Sequence, residues 1–85
     1  MAIEFDADKD AINIQKHGIS LARAEEMDVR AFLKDVRTDY GEERYRAWGF
    51  IDGEAYSLAY TLRAGVLRPI SLRRAHAKEM KRYVR

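Results

Sequence analysis

One dipeptide, Asp52-Gly53, constrains this chain more than any other feature. Asp-Gly between two alternating runs is a strong signal for a two-residue turn joining antiparallel strands, because it readily supplies the positive φ angles such turns need. The run before it alternates, with Arg44, Arg46, Trp48 and Phe50 on one face and Glu43, Tyr45, Ala47 and Ile51 on the other. The run after it puts Tyr56, Leu58, Tyr60 and Leu62 on one face. Ala64-Gly65 marks a second tight turn, and Val66 to Leu72 returns as a further strand. Pro69 has no N–H to give a ladder, so that strand is predicted to lie at an edge or to carry a bulge. Upstream, Phe32, Val36 and Tyr40 predict another strand, although Leu33 interrupts the alternation. Ile3 to Phe5 reads as a short first strand.

The flanks have helical signals. Asp6 or Asp8 is placed to cap a helix running to His17, with Ala11 and Ile14 on one side, and Gly18 follows where a helix commonly stops in the left-handed region. Ser20 caps a second predicted helix, in which Leu21, Ala24 and Met27 recur at three-residue spacing. Arg73 to Arg85 reads as a closing helix with Ala77, Met80 and Val84 as its apolar stripe. The expected fold is α+β: two N-terminal helices, an antiparallel sheet of about four strands and a C-terminal basic helix. Eighty-five residues without an internal repeat or linker predict one domain, residues 1–85, small enough that a partner subunit is expected.

Charge along the chain is segregated. Residues 63–85 carry eight Lys and Arg and one acid, Glu79, whereas residues 1–62 carry eight bases and 13 acids, for a formal net charge of +2. A concentrated basic face attracts phosphate whatever the acids elsewhere do, and the plain alternative is a basic helix that is simply solvated. The absence of cysteine excludes disulfides and thiolate metal sites and fits a reducing compartment. No signal peptide or membrane-spanning stretch is visible, so the expected location is the cytoplasm.

His17, at the predicted helix end beside Lys16, is a candidate general acid or base, since histidine titrates near neutrality. Its plain alternative is a surface histidine on the last helical carbonyls. Arg63, ending one predicted strand, and Arg73, opening the last predicted helix, suit bidentate grip on a phosphate from the ends of the sheet, against the common alternative of pairing with a carboxylate such as Glu43. Glu79 is expected to be ion-paired, orienting Arg63 or Arg73. Tyr83 could stack on a base or reach a phosphate. Arg74, Lys78 and Arg82 are candidates for contacts along a nucleic-acid backbone. His17 and His76 alone make no metal site, and no Walker loop, dinucleotide fingerprint or nucleophile elbow is present, so no cofactor is expected.

In order, the residues resemble a known family. Asp6-x-x-Lys9-x-x-x-Asn13-x-x-Lys16-His17-Gly18-Ile19-Ser20 is similar to the N-terminal signature of the BrnT toxins of BrnT/BrnA type II toxin–antitoxin systems. Asp39-Tyr40-Gly41-Glu42-Glu43-Arg44, Gly49, Asp52-Gly53, Tyr60-Thr61-Leu62-Arg63, Arg68-x-Ile70-Ser71-x-Arg73-Arg74-Ala75, Glu79 and Tyr83 continue it. Three positions depart from the family pattern: Phe5 for a usual Trp, Pro69 for a branched aliphatic and Leu72 for Ala. The resemblance implies a RelE-like fold and an endoribonuclease that halts translation. It also implies neutralisation by a BrnA-type antitoxin, which alone would contact operator DNA, in a hetero-oligomer. Residue by residue it implies functional roles for Lys16, His17, Arg44, Arg63, Arg73, Glu79 and Tyr83. On this reading cleavage needs no metal; the alternative is a non-catalytic nucleic-acid- or protein-binding module that uses the basic C-terminal helix.

Overall fold

A computed structural model describes residues 3–84. In chain order they form helix α1 (Ala7–His17), a 3-10 helix (Leu21–Glu26), strands β1 (Asp28–Asp35), β2 (Arg44–Ile51), β3 (Glu54–Arg63) and β4 (Val66–Arg74), and helix α2 (Ala77–Tyr83). The strands make one antiparallel meander in the order β1-β2-β3-β4. The two hairpin turns are as their dipeptides predict: Asp52 and Gly53 take φ of 50° and 77°, Ala64 and Gly65 52° and 79°.

Alternation gives the sheet two faces. Ala47, Ile51, Leu58 and Leu72 join Ile19, Leu21 and Met27 in the buried cluster beneath α1 and the 3-10 helix. Trp48 points to the opposite face and is fully buried there, stacked on Tyr83 of α2 with ring centroids 3.8 Å apart. The charged helix α2 therefore covers its side of the sheet with an aromatic stack instead of an aliphatic stripe. Of the stripe predicted for it, Ala77 is exposed and Met80 and Val84 are only half-buried.

The α+β class and the four strands agree with the sequence reading, and several boundaries do not. The second N-terminal helix is a 3-10 helix. Its apolar residues repeat every three positions, which matches three residues per turn better than 3.6. Ile3 makes a single parallel bridge to Leu67, and no strand spans Ile3 to Phe5. β1 begins at Asp28 and ends at Asp35, so Val36 and Tyr40 lie beyond it. The last strand runs on through Arg73 to Arg74, displacing the predicted start of α2 to Ala77. Arg85 lies outside the described residues. The three family departures all find room: Phe5 packs on the core, Leu72 is fully buried, and Pro69 is buried where the β3–β4 register shifts on an edge strand.

Candidate active site

β4 is an edge strand, and an uncovered edge exposes unpaired backbone groups. The N-terminal signature covers it. Asp6 caps α1 by accepting from Asp8 N at 2.7 Å, and Gly18 ends the helix in the left-handed region. Asn13, one of the few buried polar residues, then acts as a short surrogate strand. Its Nδ2 donates to Leu72 O and Ile19 O at 2.9 Å each, and its Oδ1 accepts from Leu72 N at 3.1 Å. Asp10 fixes the following turn, accepting from Leu21 N at 2.7 Å and from the Ser20 hydroxyl at 3.0 Å. Further along the same edge, Glu4 N donates to Leu67 O at 3.0 Å.

Helical spacing does the rest. Lys9, Ile12, Asn13 and Lys16, three or four residues apart, share the face of α1 turned to β4. Lys16 and His17 thereby line an open cavity of about 160 Å³ with Lys9, Ile70 and Ser71. Lys9 and Ile70 also line an adjoining cavity of about 100 Å³ that holds Arg44, Arg63 and Arg68. Of these residues, Lys16, His17, Arg44 and Arg63 are candidates from the sequence, whereas Lys9, Arg68 and Ser71 join them only in the structure; the i, i+7 spacing of Lys9 to Lys16 signals Lys9 alone.

Arg44 is held firmly. Its guanidinium lies 4.2 Å from the centre of the Tyr40 ring, and Nε is 3.5 Å from a Glu42 carboxylate oxygen. That Nε is nevertheless buried without a hydrogen-bond partner, so the contact with Glu42 is an attraction of charges and not an aligned hydrogen bond. Arg68 pairs with Glu4. Arg63 is exposed and makes no ion pair among the described residues.

Arg73 lies elsewhere on the strand. It pairs across the ladder with Ser57, while Arg63 pairs with Val66 at the turn end. Seven residues of strand rise separate these positions, roughly 20 Å, so the two arginines do not meet on one phosphate. Arg73 is instead two residues beyond Ser71, on the same strand face, about 7 Å along.

Glu79 organises that end. Its carboxylate accepts from Arg73 at 2.8 and 3.0 Å, from Arg46 and Trp48 Nε1 at 3.3 Å each, and from His76 N at 3.0 Å. The Arg73 hydrogen bonds outweigh burial and hold the Glu79 carboxyl down at about 2. A carboxylate so saturated fixes the guanidinium of Arg73 in place. Arg46, which also lies 4.7 Å from the Trp48 ring centre, was not singled out in the sequence, though its parity with Trp48 placed it there. Tyr83 gives one ring face to Trp48, and Arg82 lies 5.4 Å from its centre. Arg74 pairs with Glu54 at 2.6 Å, and Lys78 and Arg82 are exposed.

The candidates thus form a track along β4, with Arg44, Arg63, Arg68 and Lys9 at one end, Lys16, His17 and Ser71 in the middle, and Arg73 with Glu79 at the other. Among the described residues no three His, Cys, Asp or Glu side chains are grouped as a metal site requires, and no helix is long and apolar enough to cross a membrane. A family model described as a ribonuclease toxin, BrnT, of type II toxin–antitoxin system matches residues 5–79. No curated protein and no solved structure matches the chain.

Proposed function

The chain belongs to the BrnT family of ribonuclease toxins of type II toxin–antitoxin systems, and from that premise we propose that it cuts RNA along β4 without a metal ion, by attack of a ribose 2′-hydroxyl on the adjacent phosphate. One observation carries the reading: His17 and Lys16 share a cavity with Ser71, and Arg73 stands next along the same strand face, aimed by Glu79. The neutral imidazole of His17 takes the 2′-hydroxyl proton, and the oxygen closes on phosphorus. Arg73 meets the charge that builds on the non-bridging oxygens, and Glu79 fixes its plane. Lys16, cationic, gives a proton to the departing 5′-oxygen. The products are a 2′,3′-cyclic phosphate and a 5′-hydroxyl.

Membership of the family carries an antitoxin partner. On this reading that partner is BrnA-like, reaches operator DNA for both proteins, and covers the basic face of α2 and β4 in a cytoplasmic hetero-oligomer. A RelE-like fold and arrest of translation belong to the same reading. Purified His17→Ala and Arg73→Ala should each lose about 100- to 1,000-fold in cleavage rate. Arg73→Lys should recover little of it, because the forked geometry is gone. Full activity in both alanine variants would move the reaction away from the middle of β4.

A further inference from the structure

Cleavage as described leaves one end of the track without a task. There Arg44, Arg63, Arg68 and Lys9 line a cavity of about 100 Å³, ample for a small polyatomic group. Two acids border it, and both are engaged: Asp6 caps α1, and Glu42 lies beside Arg44; a third, Glu4, pairs with Arg68 from outside, leaving four cations against three acids. Lys9 and Arg63 make no ion pair among the described residues, so positive charge is in excess. Arg44 is pre-set by the Tyr40 ring, and its Nε has no hydrogen-bond partner. A rigid guanidinium among other cations suits an anion with several oxygens better than a single carboxylate.

Continuity identifies the anion. Lys9 and Ile70 line both this cavity and the one that holds Lys16 and His17. Arg68 lies three residues from Ser71, about 10 Å along β4, a distance that one to two nucleotides of an extended strand span. We propose that the Arg44–Arg63–Arg68 cavity is a subsite for a second backbone phosphate of the RNA, flanking the one that is cut, with Lys9 bridging the two. The proposal rests on β4 being the cleavage track, and its test separates the two ideas.

The probe is a short 2′-O-methyl RNA, which lacks the attacking hydroxyl, either fully charged or with one uncharged methylphosphonate linkage moved stepwise along it. Wild-type protein should bind the charged probe best and lose affinity at one particular flanking linkage. Lys9→Ala and Arg68→Ala should bind the charged probe about tenfold more weakly, since each gives up a phosphate contact and the counterion release that goes with it. Arg68→Ala should also become indifferent to that linkage. Lys9→Arg and Arg68→Lys, which keep the charge, should retain most of the affinity, setting misfolding apart from loss of the contact. His17→Ala should keep the wild-type linkage pattern while failing to cut ordinary RNA. If wild-type protein shows the pattern but never cuts RNA, the cleavage reading falls and the subsite stands. Unchanged RNA binding by both alanine variants overturns the subsite, as does their losing affinity for an acidic peptide while keeping it for RNA.

Discussion

Asn13 illustrates how a motif residue can belong to the fold and not to the chemistry. It sits in the same signature as Lys16 and His17, yet it is buried and its amide is spent on Leu72 and Ile19. Asn13→Ala strands a donor and two acceptors, and should cost about 2–4 kcal/mol in urea unfolding. Asn13→Asp should be worse, because a carboxylate cannot donate to the two carbonyls. The sequence made the motif legible and left the division of labour hidden, since burial of Asn13 depends on a strand 59 positions away. Glu79 stabilises the fold in a pH-dependent way. Its folded value near 2 lies below the ordinary 4.5, so its contribution is present above about pH 5 and is lost as pH falls through 4.5 towards 2. The shift corresponds to about 3 kcal/mol. Glu79→Gln should therefore destabilise clearly at pH 7 and hardly at all at pH 2; an equal penalty at both values would mean that packing, not charge, holds α2.

Alternation along a strand is fixed by the backbone itself, so parity alone places Arg46 with Trp48 and Arg73 with Ser71. Parity could not say how far apart Arg63 and Arg73 lie, since that depends on β4 extending to Arg74 before α2 begins. The helix prediction started too early because Arg and Ala are good helix formers, and pairing with β3 overrides that propensity. Gly49 offers a test of the β1–β2 pairing, where the register shifts between Val29 and Ala31. A Cβ there would fall 2.0 Å from Asp28 O, a clash with backbone that no rotamer relieves. Gly49→Ala should destabilise by about 2 kcal/mol or more, with hydrogen-exchange protection lost first in β1. Protection retained in β1 would argue against so close an approach.

At the scale of the whole molecule, segregated charge gathers along β4, because α1, which carries His17, lies along the edge of that strand while α2 covers the sheet face that Arg73 shares with Trp48. The sequence showed that the charge was concentrated but not that α1 lies along the β4 edge, a tertiary arrangement made by Asn13. Antitoxin binding to such a face should be fast and should weaken with salt, and hydrogen exchange should show protection in β4 and α2. Protection confined to α1 would contradict that placement. Proposed here is RNA cleavage by 2′-hydroxyl attack without a metal, and incubating purified protein with RNA in excess EDTA, then identifying the new ends, decides it. Cleavage undiminished by EDTA, leaving 2′,3′-cyclic phosphate or 3′-phosphate and abolished by His17→Ala, is the predicted result. Cleavage that requires added magnesium and leaves 3′-hydroxyl ends would contradict it.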